Sequence, residues 1–115
     1  MRPLLPSLRE KKRYIAFEVI SENIISDFNS VSNTIQGSVH EFIGRLGEEE
    51  AGMIFINDKW NEVKQRGLVR VNNKYTDHIR ASLALIKDIN GQKVIVRSLG
   101  VSGILKKAYN NYIAK

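Results

Sequence analysis

The sequence predicts an α+β domain in which a four-stranded antiparallel sheet carries two helices on one face and is followed by a C-terminal helix. Three observations lead to this prediction. Short stretches alternate apolar and polar residues, two longer stretches repeat apolar residues every three or four positions, and glycine or asparagine stands at several junctions between them. The resulting order, β-α-β-β-α-β and a last helix, has few compact solutions.

The first strand is expected at residues 13–21, where an apolar set alternates with a set that includes Glu18. The set expected to face inward is Ile15, Phe17 and Val19. The first helix is expected at about residues 27–46, because its apolar residues are spaced by three and four, with Gly47 as its C-cap. Gly37 is a weak point inside this helix.

Two more strands and a second helix follow. A short apolar strand is expected at residues 53–56 and a third strand at residues 67–72. In the third strand the inward residues would be Val69 and Val71, and the outward residues Leu68 and Arg70. The second helix is expected at about residues 74–87, with Asn73 as a possible cap. Asn90 and Gly91 then form the turn before the fourth strand.

The last stretch, residues 93–115, combines a strand, a turn and an amphipathic helix. One face of the strand carries Lys93, Ile95 and Arg97. The turn is expected at residues 100–103, with Ser102 as the N-cap of the helix. Residues 93–115 hold five basic residues and no acidic one. A strand face, a helix start and a basic helix flank could therefore all receive an anion.

Two βαβ units with right-handed crossovers interleave into the ferredoxin-like, or split βαβ, sandwich that RNA-recognition domains share. In that topology the first and last strands are neighbours. Residues 13–115 are expected to form one such domain, since 115 residues suffice for a real core. Residues 1–12, with two prolines and several basic residues, are expected to be a flexible arm.

Composition excludes several classes of function. No apolar run approaches the roughly 20 residues of a membrane span and no signal peptide opens the chain, so a cytoplasmic protein without a membrane partner is expected. The absence of cysteine excludes disulfides and thiolate metal sites. His40 and His78 have no carboxylate at a recognised ligand spacing, and the acidic residues 48–50 are expected to be solvated. We therefore expect no catalytic group and no bound metal or cofactor.

The net charge of +6 is concentrated at the two ends of the chain. Residues 1–13 hold five basic residues and one acidic residue, and residues 93–115 hold only basic ones. If the ends meet in the fold, they form one basic patch, which is typical of nucleic-acid-binding proteins. The alternative is a solvated surface without a ligand.

The open face of the sheet is expected to suit phosphates better than bases. It would show Tyr14, Glu18, Arg70, Lys93 and Arg97. Tyr14 is the only aromatic residue in this set, whereas RNA-recognition sheets stack bases on several rings. A phosphatase is set aside because residues 22–30 lack the arginine of a phosphate loop. The candidate RNA-binding residues are Arg13, Arg70, Lys93, Arg97, Ser102, Gly103, Lys106 and Lys107.

Three segments resemble the archaeal-type ribonuclease P protein component 2. They are RYIAFEVIS, RGLVRV and RASLALIKDINGQKVIVRSLGVSGILKKA, and the resemblance extends over most of residues 13–108. It implies a subunit of the ribonucleoprotein that removes the 5′ leader from precursor tRNA. It also implies that the RNA performs the chemistry with Mg²⁺ bound to RNA groups, so that this subunit needs no catalytic residue.

The resemblance further implies a second protein, ribonuclease P protein component 3, with which members of the family form a dimer of heterodimers. A different class of function stays open beside it. A ferredoxin-like module could use its open sheet for protein interaction or ligand sensing, with the lysines serving only solubility. The two hypotheses differ in whether RNA binding depends on Arg97, Lys106 and Lys107.

Overall fold

The computed structural model describes residues 11–114. The strands are β1 (Lys12–Ser21), β2 (Ile54–Phe55), β3 (Arg66–Asn72), β4 (Asp88–Ile89) and β5 (Gln92–Ser102). The helices are α1 (Phe28–Ala51), α2 (Thr76–Ala84) and α3 (Leu105–Ala108), the last continuing as a π-helical turn at Tyr109–Ile113. All strand pairs are antiparallel, and the five strands form one sheet in the order β2-β3-β1-β5-β4.

Among residues 11–114 the sheet has five strands, where the sequence predicted four. The extra strand, β4, pairs with the start of β5 across Asn90 and Gly91, which both have positive φ. This is the backbone that a two-residue hairpin turn needs, so the chain folds back before the predicted fourth strand. The α+β class and the pairing of the first strand with the last are confirmed. The ferredoxin-like assignment stays a prediction.

One face of the sheet forms the main core with α1 and α2. The predicted inward residues of β1 are buried, as are Val69 and Val71 of β3 and Val94 and Val96 of β5. They pack against Val31, Ile35 and Val39 of α1 and Ile79 and Leu83 of α2. Alternation along a strand places every second residue on one face, which is why this set could be predicted.

The other face is not open as predicted, because α3 covers part of it. Ala16 of β1 and Leu68 of β3 are fully buried there, in a second apolar cluster with Ala108 and Ile113. The helix comes so close that a Cβ atom on Gly100 would overlap the Tyr112 ring. An amphipathic C-terminal segment must bury its apolar stripe, and this half of the sheet is where it does so.

Helix α1 begins as predicted and ends later. Asp27 is its N-cap, and its side chain accepts a hydrogen bond from the Asn29 amide at 3.0 Å. The chain leaves helical geometry at Gly44, which has φ 76° and ψ 177°, and then resumes helix up to Ala51. Gly52 is the C-cap, in the left-handed conformation. The prediction of Gly47 as C-cap was wrong, and residues 48–50 lie in the resumed helix.

Residues 1–10 lie outside the described residues, and with them most of the predicted arm 1–12. Of that arm, Lys12 already belongs to β1. Helix α2 is shorter than the predicted 74–87, because Asn73–Tyr75 forms a 3-10 turn and the α-helix ends at Ala84. Asn72, rather than Asn73, provides the cap of that turn through its contact with the Lys74 amide at 3.1 Å.

Candidate nucleic-acid interface

The structure brings three of the predicted RNA-binding residues, Arg13, Ser102 and Gly103, to one end of the sheet. The β1–β5 register pairs Tyr14 with Ser102, so Arg13 lies beside Gly103. Arg13 Nε donates to Asn73 Oδ1 at 3.1 Å, and its Nη1 lies so close to Gly103 that a Cβ atom there would overlap it. Because a guanidinium has five donors, the remaining ones can serve an anion. We call this group the Arg13 cluster.

Ser102 does not cap a helix as predicted. Strand β5 runs through residues 100–102, and the helix begins only at Leu105. The Ser102 hydroxyl accepts a hydrogen bond from the Ile104 amide at 3.1 Å, within a local turn. A β-bulge allows the strand to continue: Ala16 pairs with Gly100 and Phe17 with Ser98, which leaves Leu99 as the extra residue. The prediction that residues 100–103 form a turn that opens a helix, with Ser102 as its N-cap, is therefore wrong.

A second group of charges lies in the middle of the sheet, around Glu18. Arg66 Nε donates to Glu18 Oε2 at 3.0 Å, and Arg97 donates to Glu18 Oε1 from Nη2 at 2.8 Å. The Glu18 side chain is only 14% exposed, whereas that of Arg97 is 58% exposed. Arg66 also donates to the Tyr112 carbonyl oxygen at 3.0 Å, which ties the C-terminal segment to the sheet. We call these three residues the Glu18 network.

The sequence did not predict that Arg66 and Arg97 would both contact Glu18. Arg97 was predicted as an RNA-binding residue without a carboxylate partner being named, and Arg66 was not among the candidates. The register explains the outcome, since Glu18 stands opposite Arg66 on one neighbouring strand and opposite Arg97 on the other. A single alternating pattern shows only that Glu18 faces away from the core, and it does not show which cations flank it.

Burial raises the pKa of Glu18, but hydrogen bonds from Arg66 and Arg97 and their positive charge outweigh this effect. The net result is a pKa below the ordinary value of 4.5. As the pH falls below 4.5, Glu18 therefore becomes protonated in the unfolded chain while it is still charged in the folded chain. The contribution of Glu18 to stability is present above this pH and is lost as the pH falls through the lowered pKa.

We expect Glu18→Gln to remove this part of the acid sensitivity. The free energy of unfolding, measured by urea denaturation between pH 7 and pH 3, should fall less steeply in the variant than in the wild-type protein. Other carboxylates titrate in both proteins, so the difference between the two curves isolates Glu18. Curves that stay parallel through this range would show that the two arginines do not hold the carboxylate in its charged form.

The remaining predicted cations differ in accessibility. Lys93 is exposed on β5, and Lys106 and Lys107 are exposed on α3. Arg70 is half-buried, and its Nε is buried without a hydrogen-bond partner among residues 11–114. In the sheet, Arg70 pairs with Tyr14 of β1 on one side and with Ile54 of β2 on the other. Arg70 was expected on an open face, and it is instead half-buried between its two flanking strands.

Within residues 11–114, no three histidine, aspartate or glutamate side chains gather to hold a metal ion. His40 contacts Glu48 at 3.1 Å, and the His78 ring lies 5.2 Å from that of Tyr75. Trp60 packs on Phe28, with 5.0 Å between ring centroids. In the same part of the chain, no helix is long and apolar enough to cross a membrane.

Comparisons with known proteins agree with the resemblance seen in the sequence. The model of the Rpp14/Pop5 family matches residues 13–113. Ribonuclease P protein component 2 of Thermococcus kodakarensis is 38% identical over 112 residues, which cover 97% of this chain and 91% of the relative. The protein of the same name from Pyrococcus abyssi is 36% identical over 115 residues, covering 100% and 95%. That from Methanocaldococcus jannaschii is 33% identical, covering 94% and 77%.

A solved structure shares the fold. A chain in the cryo-EM structure of yeast ribonuclease MRP aligns with a TM-score of 0.65 at 14% identity, over 89% of this chain and 86% of that chain. The fold is thus retained where little sequence identity is left. Because the family model and the curated relatives both match almost the whole chain, the protein belongs to the Rpp14/Pop5 family.

Proposed function

We propose that this protein is a non-catalytic subunit of ribonuclease P that supports the catalytic RNA in removing the 5′ leader from precursor tRNA. The observation that carries the proposal is its identity of 33–39% to proteins named ribonuclease P protein component 2, over nearly the whole chain. In this proposal the RNA holds the Mg²⁺ ions and performs the cleavage, and the protein works in the cytoplasm.

The charged groups support a role in RNA binding. Arg97 lies opposite Glu18 on the sheet face that α3 partly covers. The Arg13 cluster lies about five residues, or roughly 16 Å, away at the end of the same strand pair, and Arg13 itself stands on the opposite face, that of Ile15. Lys93 extends the positive charge along β5, and Lys106 and Lys107 add it on α3. Such spaced cations fit the phosphates of a folded RNA, for which contacts position the protein without reading sequence.

The proposed assembly follows from the family. Ribonuclease P protein component 3 is the expected protein partner, in a dimer of heterodimers. We also propose that the sheet is a variant of the ferredoxin-like arrangement. The strand order supports this, since β1 lies between β3 and β5 while β2 lies at an edge beside β3.

The role of the cations can be tested with double variants measured against the ribonuclease P RNA. Lys93→Ala with Arg97→Ala removes two charges from the sheet, and Lys106→Ala with Lys107→Ala removes two from α3. Each pair should reduce the slope of log K against log salt by about 1.4–1.8 and weaken binding about tenfold near 0.15 M salt, because two phosphate contacts are lost.

The matched control is Arg45→Ala with Lys64→Ala, which removes two exposed cations from α1 and from the loop before β3. It should leave the slope nearly unchanged. Equal losses in all three double variants would mean that RNA binding depends on total charge alone. The interaction-module function would then be favoured over the ribonuclease P subunit.

A further inference from the structure

Arg70 differs from the other candidate cations because its charge is partly shielded from water and has no partner. The residue is half-buried, and its Nε atom is buried without a hydrogen-bond partner. Among residues 11–114 the Arg70 guanidinium makes no ion pair, whereas Arg66 and Arg97 share the Glu18 carboxylate. Removing a charged group from water costs free energy unless an opposite charge or a hydrogen bond compensates for it. An anion bound at Arg70 would therefore be stabilising.

The two Nη atoms of Arg70 are available to such an anion. Neither atom makes a hydrogen bond within residues 11–114, and neither is fully buried, so both reach solvent. Ile54, which pairs with Arg70 on the β2 side, is 49% exposed, so the edge of the sheet beside Arg70 is accessible. A guanidinium presents its N–H donors in a planar fork that matches two oxygens of one phosphate group.

Tyr14 supplies a second donor beside Arg70. The two residues are directly paired between β1 and β3, which places their Cβ atoms about 4.5–5.5 Å apart on one face of the sheet. The Tyr14 ring packs against the apolar cluster beneath α3, and its hydroxyl is neither buried nor hydrogen-bonded within the described part of the chain. A phosphate oxygen beside the guanidinium can therefore also accept a hydrogen bond from this hydroxyl.

The segments that surround this pair contain no carboxylate. They are residues 12–17, 54–56, 66–72 and 98–113, and their charged residues are all basic. The acidic residues closest to β2 in the chain are Glu50, which accepts a hydrogen bond from the Tyr75 hydroxyl, and Asp58, which lines a groove with Lys59. Lys106 and Lys107 are exposed and directly follow Leu105, which packs against the same cluster as Tyr14. Several cations without carboxylates between them match the repeated phosphates of a nucleic-acid strand better than one protein carboxylate.

We propose that Arg70 and Tyr14 form a binding site for one phosphate group of the RNA backbone. The guanidinium donates to two phosphate oxygens from Nη1 and Nη2, and the Tyr14 hydroxyl donates to one of them. The inference rests on the proposed RNA-binding function and deepens it, because it assigns to Arg70 a larger share of the affinity than to cations that are exposed or already paired. Until the phosphate is bound, the shielded charge destabilises the protein.

Arg70→Met tests the site through binding and stability together. Methionine keeps apolar contacts of the side-chain stem and removes the charge. The variant should bind the ribonuclease P RNA about 10–100-fold more weakly, with the slope of log K against log salt reduced by about 0.7–0.9. The free protein should unfold at a temperature about 2–5 °C higher, because the unpaired charge is gone. A structural arginine would instead lose stability on replacement.

Two conservative variants and a control make the test specific. Arg70→Lys keeps the charge, so the slope should stay the same while the affinity falls, because an ammonium group lacks the planar fork. Tyr14→Phe removes one neutral donor and should weaken binding about threefold to tenfold without a change in slope. The control is Arg45→Met, which removes an exposed cation from α1 and should change neither the affinity nor the slope appreciably.

The outcomes distinguish this inference from the function on which it rests. If Arg70→Met leaves RNA binding unchanged while Lys93→Ala with Arg97→Ala lowers the slope, the phosphate site does not exist and the RNA-binding function stands. If neither change affects RNA binding, the RNA-binding function fails together with the site. If Arg70→Met weakens binding of ribonuclease P protein component 3 and leaves RNA binding intact, the anion is a protein carboxylate and the inference is overturned. An Arg70→Met protein that unfolds at a lower temperature than the wild-type protein would also contradict it.

Discussion

Replacing Gly100 with valine is expected to lower the free energy of unfolding by about 3–5 kcal/mol. A side chain at this position would occupy the space of the Tyr112 ring. Pushing Tyr112 away also disturbs its carbonyl contact with Arg66 and exposes the buried Ile113. Valine favours strand geometry, so the loss would come from detachment of the C-terminal segment and not from the backbone of β5.

A double-mutant cycle with Tyr112→Ala checks this reason. Removing the ring first should make Gly100→Val much less destabilising, because the space it needs is then empty. Urea denaturation gives the free energies, and amide exchange of residues 105–113 reports detachment directly. Additive effects in the cycle, or unchanged exchange in this segment, would contradict the close packing of Tyr112 on Gly100.

Replacing Gln65 with alanine is expected to cost about 2–4 kcal/mol of stability, because it leaves several buried polar groups without partners. The Gln65 side chain is buried, and its Oε1 accepts a hydrogen bond from the Ile25 amide at 2.5 Å. Its Nε2 donates to the Val19 carbonyl oxygen at 3.2 Å and to the Ser21 hydroxyl at 2.7 Å. This one side chain thus joins the end of β1 to the connection that leads into α1.

The backbone at Gln65 provides a matched control. Its φ of 53° lies in the left-handed region, which glycine adopts without strain. Gln65→Gly should therefore be less destabilising than Gln65→Ala by about 1 kcal/mol, although both lose the same hydrogen bonds. Denaturation curves measure the difference. Full stability of the alanine variant would show that these hydrogen bonds contribute little.

The parts of the fold that were predicted correctly are those in which the type of each residue and its spacing indicate its position. The alternation of Ile15, Phe17 and Val19 shows the buried face of β1 directly, and Asp27 marks the start of α1. The end of α1 was missed because Gly44 and Gly47 both look like helix stops. The helix resumes after Gly44, and residues of the resumed part such as Ala51 pack in the core. This tertiary packing stabilises the helix, and the local sequence does not show it.

For the candidate interface, the sequence predicted some of the neighbours in the fold and missed others. The proximity of Arg13 to Gly103 follows from the pairing of the first and last strands, which the order of elements predicts. The covered half of the sheet does not follow from it, because the bulge at Leu99 and the docking of α3 depend on contacts distant in sequence. The exposure of Ile20 and Ile95, further along the same face, likewise depends on where α3 docks.

The most direct test of the proposed function is cleavage of precursor tRNA by the cognate ribonuclease P RNA at moderate Mg²⁺, with ribonuclease P protein component 3 present and this protein added or omitted. We predict that cleavage at the mature 5′ end appears, or rises sharply, only when this protein is added. Cleavage that stays the same, although both proteins are folded and bound to each other, would contradict its role as a ribonuclease P subunit.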